Sequence, residues 1–132
     1  MTEEDVDKSP APNTVRGDDL EPAVQALSEL CRRAKERVVG HVTEAGRISS
    51  RLLDRHQLAA HALAYLATEV EAARQLVAWS DRVDGALERA IAGAYVGELC
   101  RTLAGGIDLG PCESVSLGQL WLEGDDIRET LG

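Results

Sequence analysis

Residues Arg51–Arg82, RLLDRHQLAAHALAYLATEVEAARQLVAWSDR, contain neither Pro nor Gly and are dominated by Ala and Leu. Within them Leu52, His56, Ala59, Leu63, Leu66, Val70, Ala73 and Val77 follow one another at alternating steps of four and three. A seam repeating every ~3.5 residues marks a helix covered along one side by other helices. A continuous helix of this length runs about 48 Å at 1.5 Å per residue. The flanking segments must supply its cover, which restricts the chain to an all-α arrangement.

The flanks read as helices of matching length. Asp19 is an N-cap candidate, with Glu21 and Pro22 in the first turn, where proline is tolerated. The first helix runs to about Ala45 on a stripe of Val24, Leu27, Cys31, Ala34 and Val38, and Gly46 stops it. Ser49 or Ser50 caps the long helix, and so short a connection forces the two to lie antiparallel. Asp84 caps a third helix after the break at Gly85. It spans about Ala86 to Ala104, places Leu87, Ile91, Tyr95, Leu99 and Leu103 on one side, and ends at Gly105-Gly106. The expected fold is an antiparallel three-helix up-down-up bundle. Its core is Leu52, Ala59, Leu63, Leu66, Val70, Ala73, Val77, Ile91, Leu99 and Leu103.

Residues 105–116 read as a Gly-rich loop. Ser116 and Gln119 match a capping box for a short turn that includes Leu120 and Trp121, and Asp126 to Glu129 suits one more turn if something packs on it. The organisation is a disordered acidic tail over 1–18, a helical bundle over 19–122, and an acidic C-terminal turn or tail over 123–132.

Charge narrows the partners. The net charge is −9; residues 1–19 hold six acids and two bases, and residues 113–132 hold five acids and one base. The two ends therefore carry −8 of the −9, and the middle is nearly neutral. This disfavours nucleic acid and anionic membrane as partners. Aromatic content is 3% with no Phe, so few rings are available to stack on bases. No uninterrupted apolar run reaches the length of a membrane span. The three cysteines, Cys31, Cys100 and Cys112, form no CxxC pair, and no basic stretch leads into an apolar run near the start. Reduced thiols, no signal peptide and a cytoplasmic location are expected.

Reactive constellations are sparse. His56 and His61 lie five apart, a net rotation of about 140° on a helix, so they do not share a metal. His61-Ala-Leu63 keeps the His and Leu of a phosphotransfer motif of the H-x-L-K-G type but lacks its Lys and Gly. Glu69 and Glu71 diverge on a helix, and Glu98 has no evident partner. Arg32, Arg33, Lys35 and Arg37 read as a solvated face paired with Glu29 and Glu36. Gly105-Gly106 follows a helix, so it reads as a C-cap and not as a phosphate cradle. The chain alone offers no nucleophile–base pair, metal set or nucleotide loop.

Two blocks, HALAYLATEVEAARQLVAWSDR (61–82) and ERAIAGAYVGELCRTLAGGI (88–107), resemble the helical bundle of flavin-dependent acyl-CoA dehydrogenases. The matching positions are Glu71-Ala-Ala-Arg74-Gln-Leu76 and Leu103-Ala-Gly105-Gly106. Ala45-Gly46-Arg47-Ile48-Ser49, Gln57 to Thr68, Trp79 and Ala104-Gly-Gly-Ile107 are further similar to the extra N-terminal helical region of methylsuccinyl-CoA dehydrogenases. The likeness covers about residues 24–120. After Ile107 the sequence departs, with Asp108-Leu-Gly-Pro-Cys-Glu113 in place of a Met-Ser-Gln-Gly-Glu-like stretch.

The resemblance implies a non-catalytic scaffold acting with a catalytic acyl-CoA dehydrogenase domain or subunit. FAD belongs to the full-length enzymes, and no cofactor is bound by this chain alone. Gly105, Gly106 and Ile107 become an interface loop. The alternative reading is a free-standing helical protein that self-associates; phosphotransfer through His61 is a lesser one.

Overall fold

The computed structural model describes residues 20–110 and 113–131. The disorder expected of 1–18, the cap at Asp19 and the thiol of Cys112 fall outside them. Helices α1 (Leu20–Val42), α3 (Gln57–Val83) and α4 (Ala86–Ala104) form the bundle. Short α2 (Ser50–Arg55) precedes α3, and α5 (Gly124–Leu131) lies against α1. Two small antiparallel hairpins complete the chain: β1 (Thr43–Glu44) with β2 (Arg47–Ile48), and β3 (Ile107–Gly110) with β4 (Glu113–Val115).

The core gathers the inward stripe of each helix. Leu27, Leu30, Ala34, Ala62, Leu66, Ala73 and Ala92 are fully buried. Ala59, Val70, Val77, Leu99 and Leu103 are buried with them, whereas Leu52 and Leu63 are half-buried. Alanines at so many facing positions bring the helix axes close together, which Leu and Val alone would hold apart. Ser80 is also buried; its hydroxyl donates to the Val77 carbonyl at 2.8 Å, so it is not left unpaired in the core.

Four expectations about the long helices need correction, and the Gly-rich loop expected over 105–116 instead pairs as the β3–β4 hairpin. The long helix is interrupted at His56 (φ −114°, ψ 29°), whose N–H donates to both Leu52 and Leu53 carbonyls. The break coincides with the packing of the His56 ring edge-on against Trp121, at 5.2 Å between centroids. The first helix ends at Val42, short of Ala45: Ala45 (φ 50°) and Gly46 (φ 75°) both take positive φ and form the turn of the β1–β2 hairpin. Asp84 (φ 54°) closes α3 and Gly85 occupies the N-cap of α4, so the cap belongs one residue later than expected. Ser49 does cap α2, its hydroxyl accepting from the Leu52 N–H at 3.4 Å.

The fourth correction is Ile91. It was expected in the core and is 45% exposed, and Leu87 is 69% exposed. The physical reason is drift: a strict i+4 repeat rotates about 40° per step around a helix. The row that begins outward at Leu87 and Ile91 reaches the core only at Leu99 and Leu103, after Tyr95 at the boundary. Val96 and Ala92, off that row, fill the interior instead.

The C-terminal segment is a folded part of the molecule. Ile107, Val115, Leu117, Leu120 and Leu122 enter the common core. Ser116 and Gln119 form the reciprocal capping box around a 3-10 turn, Leu117–Leu120. Trp121 (φ 56°) then stacks on His41 of α1 with centroids 3.6 Å apart. Residues 123–132 are expected as a turn or tail, and Gly124–Leu131 within them form a helix. That helix, α5, is held by Arg33, which meets Asp126 at 3.0 Å and Glu129 at 2.9 Å.

Candidate docking surface

The diglycine turn and the outward row of α4 meet along one side of the bundle. Between α3, α4 and β3 lies a groove of about 240 Å³, floored by Leu66, Leu99, Leu103 and Ile107 and rimmed by Tyr65, Glu69, Tyr95 and Thr102 with Glu98 and Asp108. The Tyr95 hydroxyl donates to the Glu69 carboxylate across the two helices. Burial first, and then that carboxylate, push the Tyr95 phenol up to about 12. The pair thus locks a neutral phenol against an anion and fixes the spacing of α3 and α4 at the groove.

Gly105 and Gly106 do different things. Gly105 (φ −91°) ends α4 with ordinary backbone, its N–H donating to the Thr102 carbonyl. Gly106 is buried at φ 110°, and a Cβ there would stand 2.7 Å from the Val115 carbonyl oxygen. Glycine is needed at 106 on both counts. It lets Ile107 drop into the core and start β3, so the turn is a rigid corner of the groove.

The outward side of α4 continues the same surface. Leu87, Ala90, Ile91, Ala94 and Gly97 are exposed and carry no charge, and a Cβ on Gly97 would meet nothing within 4 Å. At the C-terminal end of α4, Glu98 pairs with Arg101, whose guanidinium holds the carboxyl below its usual value.

Other candidates stay apart. His61 is exposed and sits beside Tyr65, at 5.1 Å between rings, while His56 packs on Trp121, so the two imidazoles do not meet. Among the described residues no three His, Cys, Asp or Glu side chains gather as a metal site. Glu71 is held down to about 2 by Arg74 and then Gln75, an ordinary surface pairing with no proton to trade at neutral pH. Arg32 pairs with Glu29 and Glu36 as its spacing suggests. Arg33 likewise pairs with Glu29, at 2.9 Å, and both it and Arg37 also reach Asp126, which sequence spacing did not reveal. Cys31 and Cys100 are half-buried and free, and burial pushes both thiols up.

The described helices include none long and apolar enough to cross a membrane. The rim of the groove carries the carboxylates Glu69, Glu98 and Asp108, a setting that disfavours a pyrophosphate, which is held by cations or free backbone N–H groups.

The chain is similar to one segment of (2S)-methylsuccinyl-CoA dehydrogenase. Identity with the enzyme from Cereibacter sphaeroides is 39% over 111 residues. That alignment takes in 80% of this chain and 20% of the enzyme, so the chain spans about one fifth of its relative's length. No family model and no solved structure matches. The relationship to methylsuccinyl-CoA dehydrogenase reaches across most of the bundle, and it is a relationship of part to whole.

Proposed function

We propose that this chain is a non-catalytic helical module that works with the flavin-containing catalytic part of an acyl-CoA dehydrogenase, as a domain or as a subunit. The carrying observation is the 39% identity to a segment that makes up a fifth of (2S)-methylsuccinyl-CoA dehydrogenase. FAD and the acyl-CoA thioester belong to the partner, and a cytoplasmic setting suits the free thiols.

The side chains of this chain fit a positioning role. Many of its charged groups, among them Glu29, Glu71 and Glu98, are paired with arginines at the surface, and its strongly perturbed phenol, Tyr95, is tied to Glu69 between helices. Neither arrangement presents a base or an acid to a substrate.

The direct test is a chimaera. Residues 20–131 of this chain replace the matching segment of the Cereibacter sphaeroides enzyme. The expected result is a soluble protein that retains its flavin and oxidises methylsuccinyl-CoA. A chimaera that folds without flavin, or one that precipitates while the parent enzyme stays soluble, sinks this reading.

A further inference from the structure

We infer that the exposed side of α4, together with the acid-rimmed groove it borders, is the face on which the catalytic part docks, and that the partner meets it with an apolar ridge flanked by basic side chains. This rests on the function proposed above and names the surface and its chemistry.

Three observations converge. A helix that is apolar on both sides belongs in an interior, and α4 is such a helix: Ala92, Val96, Leu99 and Leu103 face the bundle, while Leu87, Ala90, Ile91 and Ala94 face water. Gly97 leaves open space on that outward side, so a facing backbone can approach without meeting a side chain. The charges bordering this face are mostly acidic. Glu69, Glu98 and Asp108 rim the groove and Glu113 lies just beyond at the second hairpin; of the bases on α4, Arg101 is paired with Glu98 and Arg89 with Asp84. A partner that buries the row therefore carries Lys or Arg beside its apolar ridge.

The choice of occupant follows from length. The related enzyme holds the corresponding segment within a chain about five times as long, so four fifths of that chain surround or adjoin it. A second copy is disfavoured by charge, since it would bring the same acidic rim against itself.

The test is run in the chimaera and in the free chain in parallel. L87E/I91E places two carboxylates on positions already in water, so the free chain should keep its circular dichroism and melting temperature. In the chimaera the same pair should lower the temperature of flavin release by on the order of 5 °C or more. G97L, whose Cβ meets no atom within 4 Å in the free chain, should act in the same direction by steric block, and D108K should do so by repelling the basic flank. I48E, on the exposed first hairpin, is the control that changes neither protein.

If the parent chimaera binds flavin and L87E/I91E leaves it untouched, the face is wrong while the function stands. If the parent chimaera binds none, the function and the face fall together. If the free chain proves dimeric and L87E/I91E makes it monomeric, the occupant is a second copy and the assignment to the catalytic part is overturned.

Discussion

At the scale of single residues, Asp126 and Tyr95 carry the clearest predictions. Asp126 is 8% exposed; one carboxylate oxygen accepts the Glu123 N–H at 2.9 Å, and Arg33 and Arg37 face the group. That backbone bond, followed by the two guanidinium groups, holds its acid below the usual 3.8. A depressed acid stabilises the fold above its unfolded value and loses that contribution as pH falls through the folded one. D126N should therefore lower the melting temperature at neutral pH, with the gap to wild type closing as pH drops below about 3.8. A gap independent of pH would mean that the charge does not hold α5. For Tyr95 the sign is opposite. Its phenol is raised from 10 to about 12, so its contribution is complete below pH 10 and is lost as pH climbs through 12. Spectrophotometric titration should show a phenolate band near 12 that is absent in Y95F. At this scale the sequence reveals little of either. Asp126 was legible as a helix-start residue, but nothing in its neighbourhood points to Arg33, which lies ninety-three positions away.

At the scale of elements, what was legible is what repeats. Helices α1, α3 and α4 each carry several turns of periodic apolar residues, and periodicity over that span outweighs any local irregularity. Strands of two to four residues have no room to show an alternation, so both hairpins were read as loop or helix end. The interruption at His56 has neither Pro nor Gly to announce it, because it accompanies a tertiary contact with Trp121. The row on α4 is not one face for a geometric reason: the drift of a four-residue step carries Leu87 and Leu103 to opposite sides. Gly106 lies between the two cases. A glycine after a helix is an expected stop, yet its necessity comes from the Val115 carbonyl, which only the fold brings near. G106A should cost about 1–3 kcal/mol in chemical denaturation, from positive φ and the displaced second hairpin. G105A should cost well under half as much, because its backbone angles suit any residue. Equal penalties would contradict the assignment of the corner to Gly106.

At the scale of the molecule, three helices are not the folding unit. Ile107, Val115, Leu117, Leu120 and Leu122 are each at most 6% exposed and share one core with the long helices. Trp121 stacks on His41 at the end where α1 turns back, and α5 is tied to the middle of α1 through Arg33. The segment after Gly106 thus closes the bundle at both its end and its flank. An antiparallel three-helix unit of Leu, Val and Ala would in principle stand alone, so the contribution of this closure is measurable. A chain truncated after Gly105 loses five buried aliphatic side chains, each worth on the order of 1–3 kcal/mol, against a total stability of about 5–15 kcal/mol for a domain. Those magnitudes predict that the truncated chain retains helix by far-ultraviolet circular dichroism but melts without a cooperative transition and binds an apolar dye. The single substitution L120A, which empties one fully buried site, should by contrast melt cooperatively with a loss of about 2–5 kcal/mol. A truncated chain with a sharp transition near that of the whole would show the three helices to be self-sufficient. The closing segment would then be an appendage, and the rigid corner at Gly106 would lose its place in positioning the docking face.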